Sequence, residues 1–177
     1  IFSLSDRPGY LRLYGKELIV SNYTLSLVAR RQQSFKYNAL TAMEFSSNEE
    51  NQMAGLIVMY SNTLHHYLYV GYTESIGSYI SIMTNNNKDY NQYICEPEKV
   101  IPGKQIFLKA VVENKDLQFY YGYSENDLKK IGPILDMSIL SDENSNGFTG
   151  AFVGMCCNDP ATMTNYADFE FFEYIEY

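Results

Sequence analysis

The sequence contains no tryptophan, only two histidines and few basic residues for its length of 177. Lys and Arg number 13 against 21 Asp and Glu, which gives a formal net charge of -8. A surface with this charge repels phosphate backbones, so we expect no nucleic-acid partner. Long apolar runs are also missing. None approaches the roughly 18 consecutive residues of a membrane helix, and we expect no membrane partner.

Cysteine is scarce as well, with three residues in the chain. Three cysteines cannot form a disulfide framework, and the adjacent Cys156 and Cys157 would point to opposite faces of a strand. No Cys-x-x-Cys spacing supports a metal site. We therefore predict free thiols that pack as small apolar side chains in a reducing compartment. Residues 1–4 also lack the basic start and apolar centre of a signal peptide, so we expect a cytoplasmic location.

Aromatic side chains are abundant, with 17 Tyr and 10 Phe. Aromatic residues favour strands, where their rings pack across neighbouring strands. The strand-like stretches are 9–14, 26–32, 53–60, 67–72, 79–84, 106–113, 117–123, 150–156 and 168–175. Polar, turn-rich loops are predicted at 46–52, 85–91, 96–103 and 141–147, and the one helix candidate, 127–131, is a single turn. The pattern predicts an all-β sandwich in which residues 1–177 form one domain.

Two segments carry the clearest strand patterns. In 106–113 the side chains of one face are apolar and those of the other are mixed, and the turn 114–116 then leads into 117–123. This arrangement predicts a β-hairpin. Segment 53–60 is apolar on both faces, which is typical of a central strand.

Several short blocks resemble, in the same order, the C-terminal domain of glycoside hydrolase family 43 β-xylosidases. They are 7–15 (RPGYLRLYG), 26–33 (SLVARRQQ), 52–56 (QMAGL), 140–143 (LSDE), 147–154 (GFTGAFVG), 167–170 (ADFE) and 172–174 (FEY). The resemblance implies a concanavalin A-like (jelly-roll) β-sandwich of two antiparallel sheets. In the family this sandwich packs against an N-terminal five-bladed propeller, which carries two catalytic aspartates and one glutamate and is absent from this chain. The tryptophans expected around Arg7 are missing.

The resemblance also implies a function. The family's propeller hydrolyses xylo-oligosaccharides with inversion, which needs an acid and a base spaced to admit a water molecule. We therefore expect a non-catalytic accessory domain of a xylan 1,4-β-xylosidase, with α-L-arabinofuranosidase activity in some members. The implied partners are the propeller of the same enzyme and a xylo-oligosaccharide at the domain junction, and a homo-oligomer stays open. No catalytic residue, metal or cofactor is expected in this chain.

Phe148 is the candidate substrate-binding residue. In the family a phenylalanine from this domain walls the propeller's pocket on the leaving-group side, and Phe148 is the position that matches best. Its neighbours Gly147 and Gly150 permit backbone conformations that other residues avoid. The alternative is that Phe148 fills the core or a domain interface.

Other candidates have simpler structural explanations. Residues 142–147 resemble the first half of a calcium loop, but Val153 stands at the twelfth position, where glutamate is required, so a hydrated turn is favoured. The pairs Asp142–Glu143 and His65–His66 lack the further groups of an acid–base or zinc site. Asp168 stands where some sandwiches hold a structural calcium, and no metal is predicted there.

Basic and aromatic strand residues leave a second function open. One of Arg30 and Arg31 is expected to form a structural ion pair, because a buried arginine needs a carboxylate. Tyr10, Arg12 and Tyr14 share a face that could bind a glycan or a partner domain. The alternative function is therefore a free-standing carbohydrate-binding module for xylan or related glycans, which the lack of tryptophan disfavours. A self-sufficient hydrolase has no supporting constellation of acid, base and pocket.

Overall fold

The computed structural model describes residues 1–145, 147 and 150–177. The strands of this part of the chain are β1 (Phe2–Ser3), β2 (Leu11–Tyr14), β3 (Ser26–Arg31), β4 (Lys36–Phe45), β5 (Met53–Ser61), β6 (Leu64–Thr73), β7 (Gly77–Asn86), β8 (Gln92–Tyr93), β9 (Glu98–Lys99), β10 (Ile106–Glu113), β11 (Asp116–Gly122), β12 (Lys129–Asp136), β13 (Phe152–Asn158) and β14 (Tyr166–Glu176). A 3-10 helix, Met137–Leu140, and the single turn α1, Asp142–Ser145, precede β13.

The strands form two antiparallel sheets. The first has the order β1-β2-β14-β4-β10-β11-β12, and the second has the order β3-β13-β5-β6-β7-β8, with β9 also paired to β7. Buried apolar side chains from both sheets form one cluster, which includes Leu13, Tyr37, Leu56, Leu68, Leu108, Phe119 and Phe169. The predicted sandwich of two antiparallel sheets is therefore confirmed.

The two clearest sequence patterns are also confirmed. Strands β10 and β11 pair from Phe107–Gly122 to Glu113–Asp116, so the turn between them has two residues. Its first residue, Asn114, has a positive φ of 58°, which asparagine tolerates better than most residues. Strand β5 lies between β13 and β6, and its residues from Met53 to Met59 are buried.

Two long strands were missed by the sequence patterns. Strand β4 is rich in Ala, Leu, Met and Glu, which favour helix, yet it lies between β14 and β10, and burial there overrides propensity. The single turn predicted at 127–131 is wrong, because β12 begins at Lys129. Strand β12 contains Gly132 and Pro133, and it tolerates them because it is an edge strand with irregular pairing.

The outer face of the second sheet is covered by a segment of the same chain. Along β5, Leu56 and Val58 belong to the core between the sheets, whereas Ile57 and Met59 belong to a second apolar cluster. Side chains before β3 pack on this second cluster, namely Leu18, Val20 and Leu25. The Asn62 amide donates to the Val20 carbonyl oxygen over 3.0 Å and fixes the covering segment. This face is therefore largely filled by the protein itself.

Candidate functional site

A groove with a volume of about 670 Å³ lies at one end of the sandwich. Its walls come from the β3–β4 connection, the β10–β11 turn, the 3-10 helix, α1 and the start of β13. Three backbone hydrogen bonds join these segments: Gln32 N to Ala151 O, Asn114 N to Phe35 O and Met137 N to Lys115 O, at 2.9, 2.6 and 2.8 Å. Phe35 on the rim is 73% exposed. The groove is thus a fixed surface with an accessible aromatic side chain.

Phe148, the predicted substrate-binding residue, lies outside the described residues. The flanking Gly147 and Gly150 are described, and Gly150 lines the groove and has a φ of 73°. Asp142 and Glu143 also line the groove. Of these two glycines, Gly150 is therefore the one that lies at the groove.

The predicted hydrated turn at 142–147 is a turn of helix in its first four residues. Asp142 accepts hydrogen bonds from the Tyr60 hydroxyl at 2.7 Å and the Gly150 amide at 3.1 Å, both through Oδ1. Glu143 is exposed. Asp142 is therefore committed to protein contacts that Glu143 does not share, which disfavours an acid–base pair.

A network of two arginines and two carboxylates links three neighbouring strands of the first sheet. Arg12, Asp168 and Glu44 lie directly opposite one another on β2, β14 and β4. Arg12 binds Asp168 with two hydrogen bonds, Nε to Oδ1 at 2.7 Å and Nη2 to Oδ2 at 2.9 Å. Arg7 binds Glu44 with two more, at 2.7 and 3.1 Å, and also reaches Asp168 Oδ2 at 3.1 Å. Like charges on opposed strand positions repel, so Arg7 is what makes the Asp168–Glu44 juxtaposition stable.

The two arginines of the network also stack on tyrosine rings. The Arg7 guanidinium stacks on Tyr10 and that of Arg12 on Tyr166, at 3.6 and 3.7 Å from the ring centroids. Burial by itself would raise the pKa of Asp168, but the hydrogen bonds from Arg12 and Arg7 outweigh it and lower that pKa. Both Asp168 oxygens are engaged by arginine, so this position is an ion-pair centre. Arg12 and Tyr10 are likewise committed to neighbours within the chain.

The structure does not contain the ion pair predicted for Arg30 or Arg31 among the residues that it describes. Both are exposed, and neither has a carboxylate partner among the described residues. Arg30 instead stacks on Tyr174 at 3.8 Å and donates to the Gln33 side chain at 2.8 Å, while Arg31 lies 5.6 Å from the Phe152 ring centroid. The ion-pair prediction is wrong because their exposure leaves the charges in water, where no carboxylate is required.

The two histidines are both buried, on opposite faces of β6. His66 Nε2 donates to the Asp136 carbonyl oxygen at 3.0 Å, which leaves Nδ1 to accept from the Thr84 hydroxyl at 2.7 Å. Neither ring nitrogen of His65 has a hydrogen bond of good geometry with a described residue. Burial, and then the neighbouring His66, lower the pKa of His65 to about 4. Both histidines are packing residues in their neutral form.

His65 makes the free energy of unfolding depend on pH. Its folded pKa lies below the unfolded value of about 6.5, so its contribution to stability is complete above pH 6.5 and is lost as the pH falls toward 4. Between pH 7 and pH 5 we expect the free energy of unfolding to fall by about 2 kcal/mol through this group. Urea unfolding at several pH values should show that His65→Phe loses this part of the pH dependence. His66 is present in both proteins, so its own titration cancels, and equal slopes for the two proteins would contradict the prediction.

The cysteines are free thiols. Cys157 belongs to the core between the sheets and Cys156 to the outer cluster, so the adjacent pair does point to opposite faces. Burial raises the pKa of Cys156 to about 12. Among the described residues, no group of three or more His, Cys, Asp or Glu side chains could hold a metal ion. Nor does any helix in this part of the chain have the length and hydropathy to cross a bilayer.

Two of the residues that organise these sites had no role assigned from the sequence. Glu44 lies in β4, the strand that the patterns missed, and no local signal marks it. Tyr60 lies at the irregular end of β5, where the pairing with β6 shifts register between Met59 and Ser61. Its side chain packs on the same cluster as Leu56 and Val58, as alternation along the strand predicts, but no local signal marks its contact with Asp142.

Comparison with known proteins gives a consistent result over the whole chain. Residues 1–175 match the family model of the beta xylosidase C-terminal concanavalin A-like domain. The chain is 35% identical over 179 residues to a beta-xylosidase of Bacillus subtilis (strain 168), and 32% identical over 180 residues to a xylan 1,3-beta-xylosidase of a Vibrio species. These matches cover 98% and 99% of this chain but 33% of each relative.

The fold agrees with the sequence comparison. The structure is similar to the crystal structure of a xylan beta-1,4-xylosidase from Bacillus halodurans C-125, with a TM-score of 0.93 and 33% identity. That similarity covers 99% of this chain and 34% of the larger one. The chain spans about a third of the length of these relatives, and the resemblance first indicated by its short sequence blocks is confirmed. It belongs to the family of C-terminal concanavalin A-like domains of β-xylosidases.

Proposed function

We propose that this chain is the accessory C-terminal domain of a xylan-degrading β-xylosidase, and that it helps to form the substrate pocket of a separate catalytic domain. The observation that carries the proposal is the extent of the matches, which cover nearly all of this chain and a third of relatives named as xylosidases. The remaining two thirds of such an enzyme would hold the acid and base that inverting hydrolysis requires.

The groove at the end of the sandwich is the surface that we propose for docking. It combines the exposed Phe35 with a floor in which Met137 and Leu140 are buried, and Lys115 and Glu143 add charges of both signs at its edge. Apolar centres with polar rims are typical of interfaces between domains. A catalytic domain seated here would lie next to Gly150. From the resemblance to the family, we propose Phe148 as the residue that contacts the xylo-oligosaccharide.

A test of this function starts from the isolated chain. We expect the purified chain to hydrolyse no aryl xyloside and to bind neither xylobiose nor xylotriose at millimolar concentration in a calorimetric titration. Turnover that survives a contamination control would contradict the proposal. A dissociation constant of about 1 mM or tighter, which corresponds to roughly 4 kcal/mol of binding free energy, would instead favour a free-standing carbohydrate-binding module.

The same purified chain can be tested for binding to the catalytic domain. Added to the separately purified catalytic domain of the same enzyme, the chain should form a complex and raise kcat/KM for xylobiose. Phe35→Asp, which places a charge in the proposed interface, should weaken that complex, whereas the equally exposed Tyr93→Asp should leave it unchanged, since 72% of Tyr93 is exposed away from the groove. Failure of the two domains to associate would overturn the docking surface.

A further inference from the structure

The outer face of the first sheet carries apolar side chains that join neither apolar cluster of the described residues. On β4, Ala39 and Met43 belong to the core between the sheets, so Leu40 and Ala42 point outward. Leu40 is 5% exposed and Ala42 is fully buried. The outer face of the second sheet is covered by the segment before β3, but the described part of the chain supplies no such layer here.

Three rows of side chains cross this outer face from β14 through β4 to β10. Residues paired in antiparallel strands point to the same side of a sheet, so the register defines each row. The rows are Phe171, Ala42 and Phe107, then Glu173, Leu40 and Lys109, then Ile175, Asn38 and Val111. The ring centroids of Phe171 and Phe107 are 6.3 Å apart, so the two rings meet above Ala42. Ile175 is 50% exposed. The face is therefore largely apolar along both flanking strands.

Two opposite charges flank Leu40 in the middle row. Glu173 lies on one side of it, on β14, and Lys109 lies on the other, on β10. Their backbones are about 10 Å apart, which is twice the strand spacing. Neither side chain forms an ion pair with a described residue. The face thus has an acidic side and a basic side, placed symmetrically about β4.

A surface with this symmetry is complementary to itself. A two-fold axis nearly parallel to β4 would stack two copies face to face, with β14 of each copy on β10 of the other. Glu173 would then meet Lys109 of the second copy, and Phe171 would meet Phe107 of the second copy. A two-fold interface uses the same patch on both molecules, and stacked sheets commonly align their strands within about 30°. The register therefore brings apolar groups onto apolar groups and each charge onto its opposite.

The charged residues at the ends of β4 do not oppose this arrangement. Residues of β4 itself would lie near their own counterparts on the axis. The carboxylate of Glu44 is already bound by two hydrogen bonds from Arg7, at 2.7 and 3.1 Å. Lys36, at the other end of the strand, is exposed to solvent. Like-charge repulsion on the axis is thus neutralised at one end and screened by water at the other.

We propose that the outer face of the first sheet is an interface between two copies of this chain. Seven residues from each of β14, β4, β10 and β11 cover roughly 450 Å², about half of the ~800 Å² per partner of a standard interface. The dimer is therefore reversible, with a dissociation constant in the micromolar range. None of the residues in the three rows lines the groove proposed for the catalytic domain, so this interface does not depend on the proposed function.

Sedimentation velocity of the isolated chain, from about 5 to about 500 µM, tests the interface across the expected affinity range. The parent chain should shift from monomer to dimer as its concentration rises. Glu173→Lys and Lys109→Glu should each raise the dissociation constant at least tenfold, because each places two like-charged pairs across the interface. An equimolar mixture of the two variants should dimerise like the parent, since two lysines of one copy then meet two glutamates of the other.

Glu74→Lys is the matched control for the change of charge. Glu74 is exposed in the turn between β6 and β7 of the second sheet, and this variant should dimerise like the parent. Thermal unfolding of each variant shows whether it is folded, which we expect because Glu173 and Lys109 both lie outside the core. A parent chain that stays monomeric at the highest concentration would overturn the proposal. Single variants that dimerise like the parent, or a mixture that stays monomeric, would overturn it as well.

Discussion

Asp168→Ala is expected to lower the free energy of unfolding by about 3 kcal/mol. Asp168 is 4% exposed and accepts three hydrogen bonds from Arg7 and Arg12. Removing it leaves Arg12, whose side chain is 17% exposed, without its carboxylate, and breaking a buried pair in this way typically costs about 3 to 5 kcal/mol. We take the lower end because Arg7 is 33% exposed and keeps Glu44.

The measurement is thermal and urea unfolding of the isolated chain. A loss of about 3 kcal/mol should lower the Tm by about 6 to 12 °C in a domain of this size. Glu170→Ala is the matched control, because Glu170 lies on the same strand and is exposed, and its Tm should stay within about 2 °C of the parent. A Tm for Asp168→Ala as close to the parent as that of the control would show that the network contributes nothing.

The same variant carries a pH signature. The pKa of Asp168 is lowered in the folded protein, so its stabilisation is present above the unfolded value of about 3.9 and is lost as the pH falls below it. The stability difference between the parent and Asp168→Ala should therefore be full at neutral pH and shrink below about pH 4. A difference that stayed constant into acid would assign the effect to packing and not to charge.

Phe148→Ala is the second large effect that we expect, and it concerns activity. In the two-domain enzyme this change should lower kcat/KM for xylobiose about tenfold, the equivalent of about 1.4 kcal/mol, while the Tm moves by less than about 2 °C. An aromatic wall contributes apolar contact with the sugar face and excludes water beside the leaving group. A ring that packs equally on ground and transition states affects KM, and one that orients the leaving sugar for proton transfer also affects kcat.

The two readouts must come from the same variant. Tyr23→Ala provides the control, because Tyr23 is 87% exposed in the segment that covers the second sheet, remote from the groove, and neither activity nor Tm should change. A large fall in Tm with unchanged kinetics would identify Phe148 as a packing residue, since burial of a phenylalanine is worth about 3 to 5 kcal/mol. The proposal that this stretch lines the pocket would then fail.

The alternation of apolar and polar residues predicted the strands that are buried on one face or on both faces. The β10–β11 hairpin and the central strand β5 follow from alternation and from a turn signal, because one-sided or two-sided burial leaves a direct imprint on the sequence. Strand β4 left no such imprint, because its Ala, Met and Glu residues favour helix and only its position between β14 and β10 makes it a strand.

The sites were harder to predict than the strands because their residues meet through long-range register. The sequence offers Arg12 and Asp168 only as separate candidates, since they are 156 positions apart. Their pairing depends on which strand adjoins β2, and Glu44 joins them only because β4 flanks β14 on the other side. The Tyr60–Asp142 contact likewise joins residues that are 82 positions apart, which no local periodicity reveals.

The position of β14 has a consequence for how the protein is made. This strand is synthesised after every other strand that the structure describes in the first sheet, yet it pairs with β2 on one side and β4 on the other. During synthesis, therefore, β1 and β2 have no strand to join them to the rest of the first sheet, and the edge of β4 stays open. Such late, non-local pairing makes folding slow and leaves an aggregation-prone edge exposed in nascent or truncated chains. Synthesis of β14 is thus the step that joins the two parts of the first sheet and protects that edge.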